Sequence, residues 1–409
     1  MTSHPLIVDA VRSPIGKRGG TLSSVRADEL AAQVLDGLVS RQGLDPGAVQ
    51  DVQMGCVTQI GEQALNVGRM AVLIAGWPET VCAATIDRQC GSSMQACLNA
   101  ASAIQAGHLE LVVAAGVESM SRVPMGSNLG SEGFAGFSSR LLDAWEIVPQ
   151  GISAEVIAEE WDLSREQLDA YSLESHRRAL DAIAAGRFEE EIVPIDVGDG
   201  PGVAALGREA GGGPVGGATA VEPRGTLFAV DETPRADTSA EKLAALPPAF
   251  KPDGRITAGS SSQIVDGAAA VLIASEQRAT ELGLEPRGRF VSFGLAGVDP
   301  YRMLHGNPQA CERALARAGL RWDDMSVIEV NEAFASVVLQ FARDAGLEER
   351  MGDVNPNGGG ISLGHPLGAT GARITATLLN ELERRAARYG IASMCIGQGQ
   401  AIAAVIERF

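Results

Sequence analysis

The sequence predicts a layered α/β protein in which one α/β unit occurs twice and the first copy carries a long, loop-rich insertion. Three observations lead there. Short apolar runs alternate with segments of helical spacing, as when residues 6–11 are followed by Leu30, Val34, Leu35 and Leu38. A constant offset of 276 residues relates Gly43 to Gly319, Val49 to Met325, Val52 to Ile328 and Met54 to Val330, which is a weak internal repeat. Between about 120 and 250 the alternation gives way to Gly-, Ser- and Met-rich stretches.

Taken in order, residues 6–11 read as a strand and Arg12 to Gly16 as the turn that leaves it. A helix at 27–40 is stopped by Gly43, and a short strand is expected near 54–57. A helix at 66–75 ends at Gly76, a strand at 81–86 precedes a tight turn, and a small-residue helix continues through Ala96, Leu98, Ala100, Ala101 and Ile104. Residues 111–116 form the unbroken apolar run of a strand buried on both faces. In the insertion, helices are expected at 153–161 and 165–185; Ser164 and Gln167 form a capping box, and Gly186 ends the second helix. Residues 199–217, dominated by glycine and proline, are expected to be mobile and cannot form a core. A strand at 266–273 rejoins the first sheet. The second copy then shows a strand through Ile328 and Val330, a helix from Glu332, a helix at 369–382 and a strand at 391–396. These patterns divide the chain into a first half (1–120 and 250–276), an inserted domain (121–249) and a second half (277–409).

Composition narrows the function. A chain of 409 residues exceeds one core, and 45% hydrophobic with 21% charged residues is ordinary for a globular protein. Aromatics are only 4% while glycine numbers 49, so helices and sheets should pack closely, with backbone used for recognition. A net charge of −18 argues against nucleic-acid or acidic-membrane surfaces, but leaves room for an anionic ligand held by a few arginines. No apolar run approaches the roughly 20 residues of a membrane span. The six cysteines include no C-x-x-C pair and the five histidines do not cluster, so no metal site is expected. Reduced thiols in a cytoplasmic setting are the expectation.

One stretch concentrates chemistry: Asp87-Arg88-Gln89-Cys90-Gly91-Ser92-Ser93-Met94-Gln95. Strand, sharp turn and helix place Cys90 beside a helix N-terminus, where free N–H groups and the helix dipole favour a thiolate over the usual pKa of about 8.5. Packing as a small hydrophobe is the alternative. The repeat strengthens the first reading. The same offset applied to Cys90 reaches 366, next to His365, where a second Gly-rich turn opens a second helix. His365 could also be a structural turn residue, Asn331 could cap the helix after it, and Cys395 could be core.

Taken together, Arg88-Gln89-Cys90-Gly91-Ser92-Ser93, Asn331-Glu332-Ala333-Phe334-Ala335, Gly364-His365-Pro366-Leu367-Gly368-Ala369-Thr370-Gly371-Ala372-Arg373 and Cys395-Ile396-Gly397-Gln398-Gly399 resemble the thiolase family over essentially the whole chain. Thr257-Ala258-Gly259-Ser260-Ser261-Ser262 resembles a further family segment. The resemblance implies two halves stacked in five αβαβα layers with an inserted loop domain. It implies that Cys90 is the acylated nucleophile, His365 its activator and Cys395 a second acid/base. Asn331 would hold a water that forms one oxyanion site with His365, and the N–H groups of Cys90 and Gly397 would form the other. Coenzyme A would be a co-substrate, with no tightly bound cofactor. Ser262, Gln150, Arg235, Thr238 and Arg224 are candidates for its binding or the acyl group's, although a solvated surface role fits the arginines equally well. Gln150 stands where short-chain biosynthetic relatives usually have methionine, and Gln398 and Gln400 replace small or apolar residues of the last loop. The Gln150 region and the Tyr301-Arg302-Met303-Leu304-His305-Gly306 region resemble degradative 3-oxoacyl-CoA thiolases more than acetyl-CoA acetyltransferases that form acetoacetyl-CoA. A non-enzymatic CoA- or lipid-binding protein is the reading from another class. Family members are homodimers or homotetramers.

Overall fold

The structure, a computed structural model, describes residues 4–198 and 225–409. The first half contains strands β1 (Leu6–Arg12), β2 (Gly16–Lys17), β3 (Asp51–Gly55), β4 (Cys82–Ile86) and β5 (Leu111–Ser119), with helices α1 (Ala27–Arg41), α2 (Val67–Ile74) and α3 (Ser92–Gln105). An excursion follows, bearing α4 (Ser139–Ala144), α5 (Gln150–Glu160), α6 (Arg165–Ala184), β6 (Ile195–Asp196), β7 (Leu227–Phe228) and α7 (Ala240–Ala244). The chain returns as β8 (Val265–Ala274). The second half comprises α8 (Glu276–Leu282), β9 (Gly288–Gly297), α9 (Asn307–Ala318), β10 (Val327–Val330), α10 (Ala335–Asp344), α11 (Thr370–Arg384), β11 (Tyr389–Ile396) and β12 (Gln400–Arg408).

Strand order makes the duplication visible. The sheet runs β10-β11-β12-β9-β1-β8-β5-β3-β4, so each half repeats one parallel pair followed by antiparallel neighbours. Asp51 pairs with Val112 in the first half as Val327 pairs with Gly390 in the second. Among the described strands, the two halves of the sheet pair where Leu6 and Ile7 meet Arg289 and Gly288. In the second half the counterpart of edge strand β4 shrinks to a single bridge, Ile328 to Val354.

Three hydrophobic clusters define five layers. One packs α1 and α2 on the outer face of the first sheet, with Leu30, Leu35, Val67 and Val72 against Val113 and Leu272. Another packs α9 and α10 outside the second sheet, with Ala310, Val337 and Phe341 against Ile391 and Val405. Between the sheets lie α3 and α11, whose Met94, Ala100, Leu378 and Leu379 fill the central cluster. Small residues let this layer close: a Cβ on Gly371 would strike the backbone of Met94.

Three sequence expectations are corrected. The strand expected near 54–57 is β3, which ends at Gly55. The helix expected from Glu332 starts at Ala335, because Glu332 is committed elsewhere. Strands β9 and β12 are additional elements. The capping box of Ser164 and Gln167 is present at the start of α6. The Gly-rich run 199–217 lies outside the described residues.

Candidate active site

The Cys90 corner is tied by its own short-range bonds. Gln89 takes the left-handed backbone conformation (φ 46°), unusual for a side chain of its size. Ser92 Oγ accepts from the Arg88 N–H at 3.0 Å and donates to the Gln89 carbonyl at 2.5 Å, while Asp87 Oδ1 accepts the Gln89 N–H at 2.7 Å. Cys90 is buried beside Ile15, Met120, Val265 and Leu367. Burial pushes its thiol up to about 11, overturning the expected depression. The Gln150 carboxamide, its own N–H and the Gly397 N–H favour the thiolate, whereas the Glu118 carboxylate opposes it. Helix α3 begins two residues later, and its dipole does not offset desolvation.

At the equivalent corner, His365 is held in one tautomer. Its Nδ1 lies 2.6 Å from Thr370 Oγ1, and that hydroxyl donates to the Pro366 carbonyl at 2.9 Å. With its one proton spent, Thr370 must accept from Nδ1–H, leaving Nε2 unprotonated and an acceptor. Nε2 faces Asn331 Nδ2 at 3.3 Å. Burial, and then the charge of Arg373, lower the imidazole to about 3, so it is a neutral base across the physiological range. Asn331 Oδ1 is buried without a partner. Asn331 does not cap α10, whose cap position is Phe334.

Cys395 is the penultimate residue of β11, buried and close enough to Cys90 that the neighbouring thiol raises its pKa; burial is the larger cause. The turn after it crosses to the first half. Gln398, also left-handed at φ 55°, bonds Gln89 through the two carboxamides, and Arg88 Nη1 donates to Gln400 Oε1 at 2.9 Å. Thus the two residues that depart from the family pattern fasten the last loop to the Cys90 turn. At Gly397 a Cβ would push aside the Gln89 carboxamide.

Supporting residues escaped the sequence reading. Glu332 accepts from Tyr171 OH and Ser175 Oγ, both at 2.7 Å, from Asn355 Nδ2 at 3.2 Å and from the Ile361 N–H at 3.1 Å. It clamps the Asn331 segment to α6 and the glycine loop. Glu118 accepts the N–H groups of Val57, Thr58 and Gly368, all at 3.0 Å, joining the first half to the His365 turn. Gln263 Nε2 donates to three carbonyls, those of Thr233, Ile361 and Ser362, while its own carbonyl accepts the His365 N–H at 3.3 Å. Glu332 adjoins a motif residue, which was the available signal; Glu118 showed only as the carboxylate ending an apolar run.

Cys90, Gln150 and Gly397 therefore converge, as do His365 and Asn331, while Cys395 lies beside Cys90. Gln150, the first residue of α5, faces the thiol itself. Ser262 is half-buried and its N–H donates to the Ala333 carbonyl at 2.9 Å, next to the Asn331 segment. Arg235 is exposed; its backbone N–H donates to His176 Nδ1 at 3.1 Å, and the Thr238 N–H donates to the Arg235 carbonyl at 3.3 Å. That loop is not brought into the thiol cluster by any bond described. Arg224 lies outside the described residues. Among the described residues no cluster of three metal-ligating side chains occurs, and no helix is long and apolar enough to cross a membrane.

Comparison with known proteins establishes the family. The thiolase N-terminal domain family matches residues 6–277 and the thiolase C-terminal domain family residues 284–408. The chain belongs to the thiolase family. It is 43% identical over 410 residues to a steroid 3-ketoacyl-CoA thiolase of Mycobacterium tuberculosis, covering 98% of this chain and 93% of that one. It is 44% identical to the 3-ketoacyl-CoA thiolase of Cronobacter sakazakii over 98% of this chain and 99% of the relative. Among solved structures, human mitochondrial 3-ketoacyl-CoA thiolase in complex with CoA superposes with a TM-score of 0.86 at 35% identity, covering 100% of this chain and 98% of that one. The Bacillus anthracis acetyl-CoA acetyltransferase gives 0.85 at 40% identity, covering 100% and 99%.

Proposed function

We propose that the protein is a 3-oxoacyl-CoA thiolase that cleaves its substrate with CoA through an acyl-enzyme on Cys90. The observations that support this reading are the two neighbouring buried thiols, Cys90 and Cys395, and a neutral imidazole, His365, whose unprotonated Nε2 is paired with Asn331. A thiol held up to about 11 is protonated at neutral pH, so it needs a base as it attacks. His365 Nε2 takes that proton, and the sulfur adds to the 3-oxo carbon. The alkoxide that forms meets donors fixed in place, from the N–H groups of Cys90 and Gly397 or from a water on Asn331 and His365. The unpartnered Asn331 Oδ1 suits an acceptor for such a water. The C2–C3 bond then breaks, its electron pair forms the acetyl-CoA enolate, and Cys395 S–H protonates C2. In the second half-reaction the Cys395 thiolate takes the proton of incoming CoA, whose sulfur attacks the thioester. Cys90 leaves as thiolate and recovers its proton from His365, closing the cycle with all protons accounted for.

Incubation with acetyl-CoA followed by peptide mass mapping tests the central step. Acetylation should fall on Cys90 and vanish in Cys90→Ala; modification elsewhere, or persistence in the variant, overturns it. The likeness to an acetyl-CoA acetyltransferase supports a second reading, synthesis of acetoacetyl-CoA. Kinetics with acetoacetyl-CoA against longer 3-oxoacyl-CoAs separates the two, and strong preference for acetoacetyl-CoA sinks the degradative one. Self-association is also proposed: β4 ends the sheet without an outer neighbour among the described strands, and α2 beside it exposes Leu73 and Ile74. Light scattering should give a dimer or tetramer.

A further inference from the structure

Asn307 opens α9, yet it does not cap that helix: the cap position is Gly306, and no Asn307 side-chain bond reaches a helix N–H. Its side chain is fully buried. Its Oδ1 accepts from Ser393 Oγ at 3.0 Å, while Nδ2 has no hydrogen-bond partner. A buried amide N–H left without an acceptor is costly, so the group it faces matters. Ser393 and Cys395 are two residues apart on β11 and share one face of the strand. With its oxygen held by Ser393, the carboxamide has only its unpartnered nitrogen free to act on Cys395, the next residue on that face, whose thiolate the Asn307 side chain favours.

We propose that Asn307 is a positioning residue for the second thiol, its N–H donating to the Cys395 sulfur whenever that sulfur carries charge. The charge arises when the Cys395 S–H bond breaks, its proton forms the new C–H bond of acetyl-CoA, and the electron pair stays on sulfur. In the reverse direction the same sulfur takes a methyl proton from acetyl-CoA. Burial and the neighbouring Cys90, the ionisable group that bears on Cys395, both oppose this thiolate; Asn307 and the Cys395 N–H favour it. A lone apolar wall in place of Asn307 would leave the sulfur reluctant to ionise. This role rests on the reading of Cys395 as the second acid/base.

The test follows exchange of the acetyl-CoA methyl protons with D2O by NMR across pH 6–10, alongside acetyl transfer to Cys90, in the full-length protein. Asn307→Ala should slow exchange by about tenfold or more, less than the 10²–10³ typical of a lost oxyanion donor. Its profile should move to higher pH by on the order of one unit, with Cys90 acetylation within about twofold of the parent. Asn307→Asp should be slower still, because a carboxylate repels the thiolate, and Asn307→Ser should recover part of the rate. Normal Cys90 acetylation certifies the fold of each variant; should Asn307→Ala fail to fold, the Asp-against-Ser contrast decides. An unmoved profile, or Asp no worse than Ser, overturns the proposal. Exchange at the parent rate in Cys395→Ala would instead overturn the role of Cys395 itself.

Discussion

The two halves part company at one equivalent point. After β5 the chain leaves for residues 120–264 before returning as β8; after β11 it turns within residues 397–399 and re-enters as β12. One topological position thus holds the whole excursion in the first half and only the Gly397 turn in the second. Both ends sit against Cys90, through Gln150 of α5 and the N–H of Gly397. The difference teaches that bulk and chemistry separate: the short side can hold an N–H in a fixed place, while the long side can shape a surface for a large thioester.

The sharpest break of that division is Cys90→Ser, which should lower thiolysis by about 10⁴-fold or more at unchanged melting temperature. Next, Gly397→Ala pushes the Gln89 carboxamide off Gln398 and loosens the turn while keeping its N–H. It should cost about tenfold in kcat, less than the 10²–10³ of a lost oxyanion donor, with little change in KM for CoA. Glu332→Ala unclamps the second half by leaving Tyr171, Ser175, Asn355 and the Ile361 N–H without their shared acceptor. A loss of roughly 2–4 kcal/mol in stability is expected by denaturant unfolding.

His365 gives a pH signature. The folded protein keeps it neutral down to about 3, whereas the unfolded chain protonates it near 6.5. Between those values the unfolded state binds the extra proton, so stability is full above pH 6.5 and falls as pH drops toward 3. His176, lowered to about 4 by burial, adds a similar slope. His365→Gln should flatten part of the melting-temperature curve between pH 6.5 and 4. The smallest effect belongs to the long side: Arg235→Ala should raise KM for CoA a few-fold, roughly one lost surface ion contact, with kcat within twofold. A fall in kcat there would erase the distinction between the two sides.

Elements whose apolar pattern repeats at one period were legible from sequence: α1, α3, β5, β8 and α6 with its capping box all lie close to where the pattern puts them. Strand β12 was not, because Gln400-Ala401-Ile402-Ala403-Ala404-Val405-Ile406-Glu407-Arg408 suits a helix equally well. It is a strand because β9 and β11 flank it with ladders on both sides. Strand β9 hid behind its glycines. The late start of α10 follows from the four distant donors that claim Glu332, and no local rule reports them. Cys90 shows the same limit: the helix-end argument is local, while the burial that outweighs it comes from Ile15, Met120, Val265 and Leu367, scattered along the chain. Gln150 stood out as an unusual residue, but only folding shows that it faces sulfur.

The closeness of Gly371 to Met94 sets a gauge for the site. Cys90 and His365 each precede a helix of the central layer, and those helices touch there backbone to side-chain-free backbone. Under the proposed mechanism, a single methyl at Gly371 would act as a shim between the helices that follow Cys90 and His365, leaving both side chains chemically intact. Reactivity would then depend in part on a spacing set by two backbones rather than by any reacting group.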